Sequence, residues 1–182
     1  MIIPQIPKDL FKYIAGFTGI ILLVFYSIFV LKINFKTILM LLGFILVGAV
    51  SRLPQRMAPV SLGIELVSLV TIVSGILYGP FAGALVGIAA SALSGFYTIE
   101  RPQDIIIMSI GFFFMGTLAP FCYQAFGLGW TALILTCFYD GLTGFAYAFM
   151  GHSWAGVGRF MIVHIPVNYL IITWLAPKLL AL

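Results

Sequence analysis

The residues best suited to chemistry are few, and each sits in apolar surroundings. Asp140 lies in the middle of a long hydrophobic run, with Thr136, Thr143, Gly144 and Tyr147 three, four or seven positions away. On a helix these share one face, so the run would carry a polar stripe. A charge at mid-bilayer costs about 2.5–3.5 kcal/mol on insertion scales, so the acid needs a reason to be there. Two readings fit: the wall of a ligand or ion site, or a carboxyl that fixes packing between helices. His164 and Asn168, four apart, share a face of another run that opens near Arg159. Pro166 between them removes one backbone donor and loosens the local ladder. This face could touch a substrate, or His164 could be a packing residue. Glu65 stands a few residues inside a third run, and its simplest role is an ion pair with Arg52 or Arg56 of the preceding loop.

The elements that must position these side chains follow from composition. The chain has 182 residues, 63% hydrophobic and only 8% charged. Soluble domains run near 25% charged, so an ordinary water-facing surface cannot be made from this sequence. The expectation is a multi-pass protein of the cell membrane, an all-α helical bundle in contact with the lipid bilayer. An alternating barrel pattern is absent, and in lipid the backbone must satisfy itself within helices. The net charge of +4 fits loops anchored at lipid headgroups and does not call for nucleic acid. Cys122 and Cys137 lie in apolar runs without CxxC spacing and read as buried small residues.

Seven apolar segments are predicted, at 13–31, 37–51, 60–78, 81–97, 105–126, 130–150 and 160–175. Residues 1–36 would form an N-terminal segment with an additional transmembrane helix, and 37–182 a six-helix core. The centre of that core is the pair of segments split by Gly79-Pro80. Its second half repeats small residues every fourth position, at Gly79, Gly83, Gly87, Ser91 and Gly95. Such a face is flat and lets another helix backbone come close.

The string 66–91, LVSLVTIVSGILYGPFAGALVGIAAS, resembles the second and third helices of substrate-binding (S) components of energy-coupling-factor transporters. Gly75, Leu77, Gly79, Pro80, Gly83, Ala84 and Gly87 carry the likeness. The preceding helix, ending at Arg52, and the final stretch HIPVNYLIITWLAPKLL are similar to that family's first and sixth helices. A GPxxG hairpin also resembles the rod-shape-determining protein MreD. The first resemblance implies capture of a small, vitamin-like nutrient, delivered to a membrane coupling subunit driven by ATPases. It places substrate contacts on later helices and outer loops, here Arg52, Arg56, Glu65, Arg101, Asp140, Thr143, Tyr147, Arg159, His164 and Asn168. Partner docking would fall on Gly43, Val47, Gly48, Gly83, Gly87 and Ser91. It also puts the Gly79-Pro80 hinge in the cytoplasm. Counting Lys and Arg by side puts Arg52, Arg56, Arg101 and Arg159 in the cytoplasm instead. Held outside, those four arginines would suit an anionic ligand.

Three functions follow as expectations: a nutrient-binding subunit without chemistry of its own, a scaffold of envelope synthesis, or a small enzyme acting on lipid or isoprenoid phosphates. No nucleophile elbow, P-loop, HExxH or paired-carboxylate spacing is present, so no catalytic residue, metal ligand or cofactor is assigned. The polar interior favours the first.

Overall fold

The computed structural model describes residues 34–53, 65–98 and 101–181. These form five helices: α1 (Phe35–Ser51), α2 (Val67–Tyr78), α3 (Pro80–Thr98), α4 (Pro102–Phe149) and α5 (Trp154–Leu180). No strand occurs among the described residues. The segment predicted at 13–31 lies outside them, as does Arg56. The chain divides into two units at Met40–Leu41, within α1. The second unit holds the later part of α1 and all of α2 to α5.

Five helices stand where six were expected after residue 36, because segments five and six run on as one helix. Gly127 interrupts it with φ 72 and ψ 175, so α4 consists of two limbs, 102–126 and 128–149. Glycine takes a positive φ without the Cβ penalty, and the Thr131 hydroxyl donates to the Gly127 carbonyl at 2.7 Å. The break between α2 and α3 has the same cause. Gly79 has φ 91, its N–H returns to the Gly75 carbonyl, and Pro80 takes the first position of the next helix, where no donor is missed. Two helices, α4 and α5, are long and apolar enough to cross a membrane.

The small-residue face of α3 lies against the first limb of α4 in antiparallel order. A Cβ on Gly83 would come within 2.6 Å of the Gly116 carbonyl oxygen, and one on Gly87 within 2.8 Å of the Phe112 oxygen. Ser91 meets Ser109 hydroxyl to hydroxyl at 3.1 Å, and Gly95 faces Ile105. Gly48 of α1 closes on Ala90 and Val70. Of the six residues expected to dock a partner, Gly48, Gly83, Gly87 and Ser91 therefore face helices of this chain. Gly43 has open space beside it, and Val47 faces outward.

Helix α2 is the centre of the unit, buried without interruption from Val67 to Gly75. Its Ile72, with Phe112, Met115 and Leu135 of α4 and Ile172 of α5, fills the core. The outer faces are apolar: Phe81 is 80% exposed, Ile162 74% and Trp174 67%. Cys137, expected to be buried, is exposed on this outer surface, and Cys122 is half-buried. An apolar run that faces outward carries a thiol as readily as a core does.

Candidate functional site

One end of α1 is stitched to the start of α2. The Ser51 hydroxyl donates to the Gly48 carbonyl at 2.7 Å and accepts the Leu66 N–H at 2.9 Å. This brings Arg52 and Glu65 side by side although thirteen positions separate them. Arg52 Nε lies 3.3 Å from Glu65 Oε2, both side chains being buried. Arg52 Nη1 also donates to Ser94 Oγ at 3.0 Å and approaches Met108 Sδ at 3.2 Å. Ser68 Oγ donates to Glu65 Oε1 at 3.3 Å.

From Glu65 the polar chain continues into α5 and α4. His164 Nε2 faces Glu65 Oε1 at 3.6 Å, and Nδ1 lies 2.7 Å from Asp140 Oδ1. The second contact has the distance of an ion pair without the alignment of a hydrogen bond, and Asp140 Oδ2 has no hydrogen-bond partner among the described residues. The imidazole is held flat by Phe160, whose ring stacks on it at 4.6 Å with planes 21° apart. Tyr139 stands on another side at 5.9 Å. One turn further along α5, the Asn168 amide donates to the His164 carbonyl at 3.0 Å. Arg52 just after α1, Glu65 just before α2, His164 of α5 and Asp140 of α4 thus form a buried row. With the ring protonated the row is neutral; with it neutral, the row carries one negative charge.

The row borders a cavity of about 340 Å³ that reaches toward the α4–α5 turn. Asp104, Met108, Tyr139, Thr143, Tyr147, Phe160 and Met161 share its lining with the four charged groups. Glycines let the walls approach: a Cβ on Gly144 would meet Val157 Cγ1 at 2.7 Å, and one on Gly111 would meet the Tyr139 ring. At the outer edge Arg101 Nε donates to Asp104 Oδ2 at 2.9 Å, and Arg101 Nη2 lies 2.6 Å from His152 Nε2. The hydrogen-bonded Asp104 carboxylate raises the pKa of Arg101 above its ordinary value. This contact ties the start of α4 to the turn before α5.

Of the ten candidate residues, Arg52, Glu65, Asp140, Thr143, Tyr147 and His164 line the cavity. Asn168 is fully buried one turn beyond it, supporting His164. Arg101 stands behind Asp104 at the rim. Arg159 is exposed and donates to the Ala155 carbonyl at 3.3 Å. Five positions from His164 turn it about 140° away on a helix with 3.6 residues per turn. Met108, Phe160 and Met161 were not singled out from sequence. Phe160 stands one turn before His164, and Met108 one turn after Asp104, so helical spacing from those two was the available signal. No group of three His, Cys, Asp or Glu that could hold a metal ion occurs among the described residues.

No protein-family model, curated protein or solved structure matches the chain.

Proposed function

We propose that this chain is a multi-pass membrane protein that binds a small molecule within its helical bundle. In this reading it serves as the substrate-binding subunit of an uptake system of the energy-coupling-factor type. The observation that carries the proposal is the cavity bordered by the buried row Arg52–Glu65–His164–Asp140. Burying ionised groups is costly, and a pure scaffold in lipid can associate through small residues and close packing without them. Here four such groups, two from helices α4 and α5 and two from the ends of the α1–α2 connection, converge on one space, which is what binding a polar ligand requires.

The membrane part of the reading is supported by two helices of sufficient length and apolarity and by large apolar side chains on the outer faces. The six-helix count of an S component stays with the resemblance, since α1, α2 and α3 are shorter apolar helices. The scaffold alternative draws less support, because most of the small-residue stripe is occupied within the chain. Energising partners remain part of the proposal through the resemblance alone, with Gly43 and Val47 the docking positions still open.

The test is native mass spectrometry of the full chain, taken from its own membranes into lipid nanodiscs. Binding predicts a small-molecule adduct on the wild type that is lost from Val157→Phe, a variant that fills the cavity from a half-buried wall position. An unliganded wild type, together with pull-down of envelope-synthesis proteins, would move the assignment to a scaffold.

A further inference from the structure

The lining of the cavity has a sign, and this narrows the ligand. Building on the reading of the chain as a small-molecule binder, we propose that the cavity takes a small organic cation, an ammonium or amidinium, with Asp140 as its counter-ion. Three carboxylates line the space: Glu65, Asp104 and Asp140. Two of them are already matched, Glu65 by Arg52 at 3.3 Å and Asp104 by Arg101 at 2.9 Å. Among the described residues, the ion-pair partner of Asp140 is His164, which matches its charge only when the ring is protonated. The Asp140 side chain is fully buried, yet Oδ2 has no hydrogen-bond partner among the described residues and Oδ1 meets the imidazole off-axis. A buried carboxylate oxygen without a donor is costly, and a ligand N–H⁺ is the group that would satisfy it.

The arginines do not offer the opposite site. Arg52 is engaged by Glu65, Ser94 and Met108, Arg101 by Asp104 and His152, and Arg159 does not line the cavity. An anion entering here would face three carboxylates, with the nearest guanidinium already paired and the His164 ring already between Glu65 and Asp140. The remaining walls suit a cation. Tyr139, Tyr147 and Phe160 bring aromatic rings to the cavity, and aromatic faces attract positive charge at close range. Thr143, whose hydroxyl donates to the Tyr139 carbonyl at 2.8 Å, keeps acceptor capacity one turn from Asp140.

The experiment compares two probes of one shape and opposite charge, benzamidine and benzoate, on the full chain in nanodiscs at neutral pH. Binding is read by titration of intrinsic fluorescence and by the shift in unfolding temperature. Benzamidine is expected to bind at least about tenfold more tightly than benzoate, and Asp140→Asn to lose at least about tenfold of that affinity. Should Asp140→Asn not fold, a cysteine at Val157 in a chain freed of Cys122 and Cys137 locates the site. Benzamidine should then slow its modification by a thiol reagent. Benzoate binding as tightly as benzamidine overturns the proposal. So does full benzamidine affinity in Asp140→Asn, or unchanged labelling at position 157. If neither probe binds a protein that carries a native adduct, the cation assignment falls while the binding function stands. If there is also no adduct, both fall.

Discussion

Glu65 holds the row together because its carboxylate faces Arg52 through Oε2 and the His164 ring through Oε1. Removing one member of a buried ion pair leaves the other uncompensated, which costs about 3–5 kcal/mol. Glu65→Ala should therefore lower stability by that order in a denaturant titration in mixed micelles. Arg52→Met with Glu65→Leu should cost distinctly less than Glu65→Ala alone, because no charge is stranded. If the double variant is the worse of the two, the pair stabilises beyond what its own burial explains. The sequence made part of this legible. Glu65 beside a basic loop announced an ion pair, and the three- and four-residue spacing of Asp140, Thr143 and Tyr147 announced one wall. What spacing could not reveal is that the two meet through His164, since the helices carrying them are far apart in sequence. Arg159, expected at the helix mouth, stands outside the cavity lining, five positions and about 140° from His164 on α5.

At the scale of the elements, glycines divide into those that permit contact and those that do not. Gly83 lies against Gly116 and Gly75 so closely that an added Cβ would sit 2.7 Å from the Gly75 α-carbon. The obstacle there is backbone and cannot rotate away. Gly83→Ala should destabilise by about 1–3 kcal/mol, the cost of overpacking a close-fitted core. Gly141, on an exposed face of α4, has nothing within 4 Å of the same added atom. Gly141→Ala should instead stabilise by about 0.5–1 kcal/mol through helix propensity. The same titration compares them, and equal effects would mean that the α3–α4 contact is looser than these distances imply. The four-residue stripe was plain in the sequence, and so was a close helix crossing. Its partner was not, because a flat face says only that something approaches. The antiparallel register with α4 depends on Gly116, Phe112 and Ser109, which carry no comparable repeat. The joint at Gly127 was legible as a turn, but its one-residue extent depends on a positive φ that lets the helix resume at once.

For the whole molecule, the helix order puts the cavity at one end of the described unit and the Gly79 joint at the other. Helix α2 starts beside Glu65 and leads away to Gly79, α3 returns, and the two limbs of α4 repeat the excursion through Gly127. Arg52, Arg101 and Arg159 are all at the cavity end, which by the count of basic residues would face the cytoplasm. Arg52, however, is buried against Glu65 and is no longer a loop charge, so the count overstates the bias. Capture of a nutrient from outside requires the opposite orientation. A cysteine replacing Phe81, exposed beside the Gly79 joint, in a chain freed of Cys122 and Cys137, should then react with an impermeant thiol reagent only after the membrane is opened. A cysteine replacing Gly158, where an added Cβ meets nothing within 4 Å, should react in intact cells. Reversed labelling would make the cavity face the cytoplasm. Binding could survive that result, since the row of charged groups does not depend on which compartment it faces. Uptake as the purpose of binding could not, and the ligand would have to be sought among cytoplasmic cations.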